Sequence, residues 1–140
     1  MSYLVDTCLL SELRKPQPAP AVVAWVERMP AHLLFLSVLT LGEIRKGVTK
    51  LPPSARRDRF ERWLEIELPR HFFNRILPID EKVALAWGQL HGEAELRGRP
   101  SPVVDTLLAA TARVHGLTLV TRNLEDFRPF GLPLLDPWRT

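Results

Sequence analysis

The sequence predicts an α/β layer fold, and three observations predict it. Short apolar runs alternate with longer segments whose apolar residues recur at helical spacing, the pattern of strands and helices in alternation. The chain has 140 residues, 46% of them hydrophobic, which suffices for one domain, 1–140, with a real core. Four acids fall where strands end or helices begin, and ligands of open α/β sheets bind on that edge.

The elements follow in order. Tyr3-Leu4-Val5 is a short strand ended by Asp6-Thr7, and Leu9 to Arg14 a first helix closed by the proline-rich turn at 16–20. Ala21 to Arg28 reads as a helix and Leu33 to Ser37 as a second buried strand. Leu41, Ile44 and Val48 then repeat at helical spacing, as do Phe60, Trp63, Leu64 and Leu68 after Pro52-Pro53-Ser54. Arg75 to Pro78 is a third, short strand. Val83, Trp87, Leu90 and Ala94 predict a long amphipathic helix ending near Gly98 and Pro100. A further helix is expected to start with Ser101 as N-cap and Pro102 at its first position, running to about Val114 before Gly116 stops it. Leu117 to Val120 is a strong strand, and Leu134-Leu135 a last edge strand. No repeat, low-complexity tract or linker interrupts this order.

Composition excludes several classes. Four Trp and six Phe argue against disorder. A single cysteine, Cys8, leaves no internal disulfide and no cysteine-rich zinc site, and suggests a reducing compartment. No signal peptide is recognisable, and the uncharged runs are shorter than the roughly 18–20 residues a bilayer demands. A soluble, cytoplasmic protein without a membrane partner is therefore expected. The net charge of +3 is compatible with a polyanionic partner and does not prove one.

Four carboxylates carry the chemistry. Asp6 ends the first strand, and Glu43 lies early in the helix after the second. Asp105 sits in the first turn or so of the helix begun at Ser101-Pro102, and Asp126 follows the Leu117–Val120 strand. Crowded carboxylates repel one another and need a proton or a cation to coexist. Oxygen ligands with few histidines suit Mg²⁺ or Mn²⁺ better than zinc. Each acid also has a plainer role: Asp6 as a helix cap, Glu43 as a solvated residue near Lys46, Asp105 as a partner of the helix dipole, Asp126 as a turn residue. Only their joint placement on one edge favours a site.

The segments Tyr3–Leu13 (YLVDTCLLSEL), Ser37–Val48 (SVLTLGEIRKGV), Pro102–Asn123 (PVVDTLLAATARVHGLTLVTRN) and Asp126-Phe127 together resemble the PIN-domain family, and within it the VapC/FitB-like toxin group. The resemblance covers nearly the whole chain, with four motifs in register. It implies a PIN-like fold, a small central parallel sheet flanked by helices on both sides, and Mg²⁺- or Mn²⁺-dependent endonucleolytic cleavage of RNA. It makes Asp6, Glu43 and Asp105 the metal ligands. The family's fourth acidic position falls on Asn123, so either Asp126 supplies that carboxylate as an outer participant or Asn123 serves through its carbonyl. Thr7 and Thr121 resemble hydroxyls that brace the acids. Many relatives carry Asn where this chain has Cys8, which reads here as a small buried hydrophobe. The implied partners are an RNA substrate, a small DNA-binding antitoxin covering the active edge, and a second copy of the chain.

Arg45, Lys46, Lys50, Arg56, Arg57, Arg59 and Arg62 crowd one region, either to track a phosphate backbone or as a solvated helix face. Arg97 and Arg99 form a second basic loop before Ser101, where contact with RNA is expected. His32, His71, His91 and His115 lack metal-ligand spacing, and Trp25, Trp63 and Trp87 fall on apolar stripes. Rival readings are a PIN nuclease of RNA maturation without an antitoxin and a nuclease-derived chain that only binds RNA. A receiver-like phosphoacceptor is disfavoured because no Lys follows Lys82, and no glycine-rich loop exists to cradle a nucleotide.

Overall fold

The computed structural model describes residues 1–139. Its chain order is β1 (Tyr3–Val5), α1 (Thr7–Leu13), α2 (Pro20–Arg28), β2 (Leu34–Ser37), α3 (Val38–Thr49), α4 (Ala55–Arg62), α5 (Leu68–His71), β3 (Ile76–Leu77), α6 (Glu81–Leu96), α7 (Val103–His115), β4 (Thr118–Val120), α8 (Leu124–Phe127) and β5 (Leu134–Leu135). The five strands pair in parallel in the order β3-β2-β1-β4-β5. Parallel strands need crossovers, and helices supply them on both faces. This is the α/β fold with a central parallel sheet that the sequence led us to expect.

Side-chain alternation builds two cores from the same strands. Leu4 and Leu119 pair in register and point to one face, Val5 and Val120 to the other. On the Val5 face pack Leu9, Val22, Trp25, Ile44, Val48 and Leu68 from α1, α2, α3 and α5. On the Leu4 face pack Val83, Leu90, Leu108, Ala109 and Phe127 from α6, α7 and α8. Ala109, Ala110 and Ala112 are wholly buried, and small side chains there let α7 lie close to the sheet.

Two boundaries differ from expectation for physical reasons. Ser101 is not an N-cap: α7 starts at Val103, and its first bond runs from the Thr106 N–H to the Pro102 carbonyl at 3.0 Å. The Ser101 hydroxyl lies 2.6 Å from Thr106 Oγ1 instead, which ties the incoming loop to the helix. The expected helix through Phe60 and Leu68 is broken by a π turn at Trp63–Glu67, closed by the Leu68 N–H on the Trp63 carbonyl. Pro69 accounts for it, since a proline has no N–H for the Glu65 carbonyl and its ring crowds that oxygen. Gly116 ends α7 as predicted, in the left-handed conformation at φ 64°.

Glu12 gave no signal in the sequence yet organises the Val5 face. Its buried carboxylate accepts from the Ala19 N–H at the start of α2 (3.0 Å), from Lys15 Nζ (3.0 Å) and from the Trp138 indole (3.3 Å). The Ala19 bond, followed by that of Lys15, holds this carboxyl below the usual carboxylate range. Arg75 plays a similar part before β3, its guanidinium donating to the carbonyls of Ala31, Leu34 and His71. No helix among the described residues is long and apolar enough to cross a membrane.

Candidate active site

The sheet places the site at a topological switch. From central β1 the chain winds outward to β2 and β3, then returns to lay β4 on the other side of β1. Crossovers leaving in opposite directions open a crevice at the carboxyl ends of β1 and β4, where ligands bind in such folds. Asp6 follows β1 directly and Thr121 follows β4. The Asp6 N–H donates to the Val120 carbonyl at 3.0 Å, closing the crevice floor. α7 runs antiparallel to the strands, so its first turn, with Asp105, arrives at the same edge, and α3 brings Glu43 from its second turn.

Asp6 is buried, 8% exposed, and its carboxylate is held on both oxygens. Oδ1 accepts from the Thr7 N–H at 2.7 Å, so the capping role and the site role coincide. Oδ2 accepts from the Thr121 hydroxyl at 2.8 Å and the Cys8 thiol at 3.5 Å. The Thr121 oxygen in turn accepts from the Asn123 N–H at 3.1 Å. Asn123 thus contributes its backbone, while its exposed side chain makes no hydrogen bond among the described residues. Thr7 donates its hydroxyl to Glu43 Oε1 at 2.6 Å, bridging α1 and α3.

Cys8, expected as a small buried hydrophobe, also donates to Asp6. It is half-buried against a carboxylate, and its thiol is pushed up to about 11 by burial first and the Asp6 charge second. It therefore stays protonated at neutral pH, as a donor to Asp6 requires.

Asp105 shows that the four acids share one field. Its carboxyl is raised above the ordinary aspartate value by burial first, and then by the charges of Asp126, Asp6 and Glu43 in that order. Asp126 is exposed on α8, and its charge acts on Asp105 more strongly than that of Asp6 or Glu43. Among the described residues no three His, Cys, Asp or Glu side chains draw close enough together to hold an ion at once. The donor set nevertheless suits a hard divalent cation: every candidate ligand is a carboxylate, and Asp105 carries the repulsion that a cation would relieve.

Two grooves each include one of these acids, Glu43 in the larger and Asp126 in the smaller. The larger, about 660 Å³, includes Thr7, Glu43, Arg14, Arg59, Phe60 and Trp63 in its walls. The smaller, about 250 Å³, includes Arg122, Asn123, Asp126, Arg128 and Arg139. Part of the basic cluster is spent on ion pairs, Arg45 with Glu65 at 2.6 Å and Arg57 with Glu61 at 3.1 Å, while Arg56 and Arg59 line the larger groove. Arg97 and Arg99 are exposed on the turn before α7 and lie outside both grooves.

Known proteins match this chain over nearly its full length. The family described as PIN domain matches residues 3–129. The VapC ribonuclease Y4jK of Sinorhizobium fredii is 34% identical over 135 residues, 96% of each chain. Toxin FitB of Neisseria gonorrhoeae is 35% identical over 135 residues, 96% of this chain and 97% of that one. The crystal structure of FitAcB from Neisseria gonorrhoeae superposes with a TM-score of 0.92 at 34% identity, covering 99% of both chains.

Proposed function

Because the chain belongs to the PIN-domain family, we propose that it is a metal-dependent endoribonuclease and the toxin of a toxin–antitoxin pair. Asp105 carries the proposal: its carboxyl is raised by burial and by Asp126, Asp6 and Glu43 together, so four acids converge electrostatically at the sheet's switch point. The ribonuclease name of one relative and the toxin name of another support the substrate and the role.

In this reading Asp6, Glu43 and Asp105 would draw together around Mg²⁺ or Mn²⁺ on binding it, and the ion would supply a Lewis acid for the phosphodiester and offset charge on its oxygens. The chain's own work is orientation. Thr121 and Cys8 fix the second oxygen of Asp6, and Thr7 aims Glu43. Asp126 bears on the site from outside that set. Arg97 and Arg99, unpaired by any acid among the described residues, meet RNA beyond the crevice. The whole of 1–140 acts as one PIN domain in the cytoplasm, its active edge covered by a small DNA-binding antitoxin. A second copy of the chain is the remaining partner in this reading.

The test is cleavage of tRNA and rRNA fragments by partner-free protein in Mg²⁺, Mn²⁺ or EDTA. Cuts in either metal that stop in EDTA are expected; cuts of equal rate in EDTA would refute metal dependence, and no cuts in any metal would refute the nuclease.

Thr121→Val checks the bracing. It leaves Asp6 Oδ2 without its strongest neutral donor and the Asn123 N–H without its acceptor. The expected result is a loss of about 1–3 kcal/mol in denaturant unfolding and a fall in cleavage of about tenfold. Thr121→Ser, which keeps the hydroxyl, should recover most of both. Equal losses in the two variants would assign Thr121 a packing role only.

A further inference from the structure

The two grooves beside the acids hold arginines in an unusual state. In the larger groove the Arg14 guanidinium lies over Phe60 and Trp63, with Cζ 5.3 Å and 4.9 Å from the ring centroids. In the smaller groove the Arg122 guanidinium lies over Trp138 at 5.3 Å. Neither has a carboxylate within ion-pair distance among the described residues, whereas Lys15 pairs with Glu12, Arg128 with Glu125 and Arg139 with Asp136. Arg56 also lies over Phe60, at 5.6 Å, but only Arg14 stands over two rings. Both are exposed to solvent.

An aromatic face under a guanidinium attracts it and limits its rotation while leaving its N–H edge free. That edge matches two oxygens of a phosphate, so such an arginine is set for a phosphate ligand. Position gives the pair its meaning. Arg14 caps the end of α1, the helix that begins at Thr7 beside Asp6, and shares its groove with Thr7 and Glu43. Arg122 follows Thr121 in the chain and shares its groove with Asn123 and Asp126. Each ring-held guanidinium thus shares a groove with one acid, Arg14 with Glu43 and Arg122 with Asp126, and both of those acids act by charge on Asp105.

We propose that Arg14 and Arg122 grip the backbone of the RNA on opposite sides of the scissile phosphate, so that the strand runs from one groove to the other across the acids. The proposal rests on the nuclease reading and adds to it the path of the substrate. RNA is favoured over a protein segment because each groove carries one of the four acids, Glu43 in the larger and Asp126 in the smaller, and a reacting phosphate has neighbouring phosphates on both sides. The arginines also offset the repulsion between those acids and a polyanion.

The experiment uses Arg14→Met and Arg122→Met, which keep an apolar stem on the rings and remove the charge. An end-labelled RNA with one cleavage site is followed for KM and kcat. Its affinity is also measured against salt in an Asp105→Asn background. Each variant is expected to raise KM about tenfold with little change in kcat, the scale of one charge-assisted phosphate contact. Each should also make the slope of log affinity against log salt shallower by about 0.7. Trimming the RNA on one side of the cut should abolish the effect of one variant, and trimming on the other side that of its counterpart.

Unchanged KM and salt slope in both variants, with the parent still cutting RNA, would overturn the clamp and leave the nuclease standing. A parent that cuts no RNA would overturn the nuclease, and the binding slopes would still judge the arginines. A variant that binds RNA normally and loses affinity for an antitoxin would assign that groove to the protein partner and overturn the proposal for it.

Discussion

Asp105→Asn is expected to lower RNA cleavage by roughly a thousandfold or more, about 4 kcal/mol of transition-state stabilisation, while making the metal-free protein more stable. Both effects come from the same carboxyl. Burial and the charges of Asp126, Asp6 and Glu43 raise it above 3.8, so the fold disfavours its ionised form. Such a group contributes its full stability below the unfolded value and loses it as pH rises through the higher folded value. At neutral pH the charged Asp105 therefore weakens the metal-free fold, and a neutral amide of the same shape removes that cost. Thermal unfolding in EDTA across a pH series checks the sign. The parent should gain on the variant as pH falls through the folded value toward the unfolded one, and added Mn²⁺ should raise the parent's melting temperature more than the variant's. A variant that melts below the parent in EDTA at neutral pH would mean that Asp105 holds structure together and does not strain it.

Phe127→Ala is expected to cost about 3–5 kcal/mol of folding stability, the usual result of emptying a buried aromatic site. Phe127 is 1% exposed, lies 6.3 Å from the Phe130 ring, and packs in the core that includes Leu4 and Leu119. Its neighbour Asp126 is exposed on the same single turn of helix, α8, so this anchor holds the proposed fourth acid in place. Denaturant unfolding measures the loss. At temperatures where the variant remains folded, cleavage should fall as well, because a released α8 no longer fixes Asp126. Full activity in a folded variant would place Asp126 outside the reaction.

Much of this was legible in the chain. The runs Tyr3-Leu4-Val5 and Leu117 to Val120 are apolar at every position or nearly so because both faces of a parallel sheet are covered, and that pattern survives without coordinates. Asp6, Glu43, Asp105 and Asp126 could be placed on one edge because strand ends and helix starts define it. The start of α7 could not be placed, since Ser101 followed by Pro102 reads as a cap until Thr106 draws the serine hydroxyl to itself. The π turn before Pro69 was equally hidden, because periodicity reports a helical face and not the bond pattern beneath it.

By itself, then, the sequence determined the alternation of strands and helices, their two apolar faces and the acids at their ends, all of which are local consequences of residue type and spacing. Only the tertiary structure decided that Thr121 would bond Asp6 across 115 positions, that Thr7 would reach Glu43, and that Glu12 would join α1, α2 and Trp138. It also decided that Arg14 and Arg122 would each lie on an aromatic ring. These contacts depend on which strands become neighbours, and the strand order β3-β2-β1-β4-β5 is settled by burying both faces of the sheet at once, a condition on the whole chain that no local window contains.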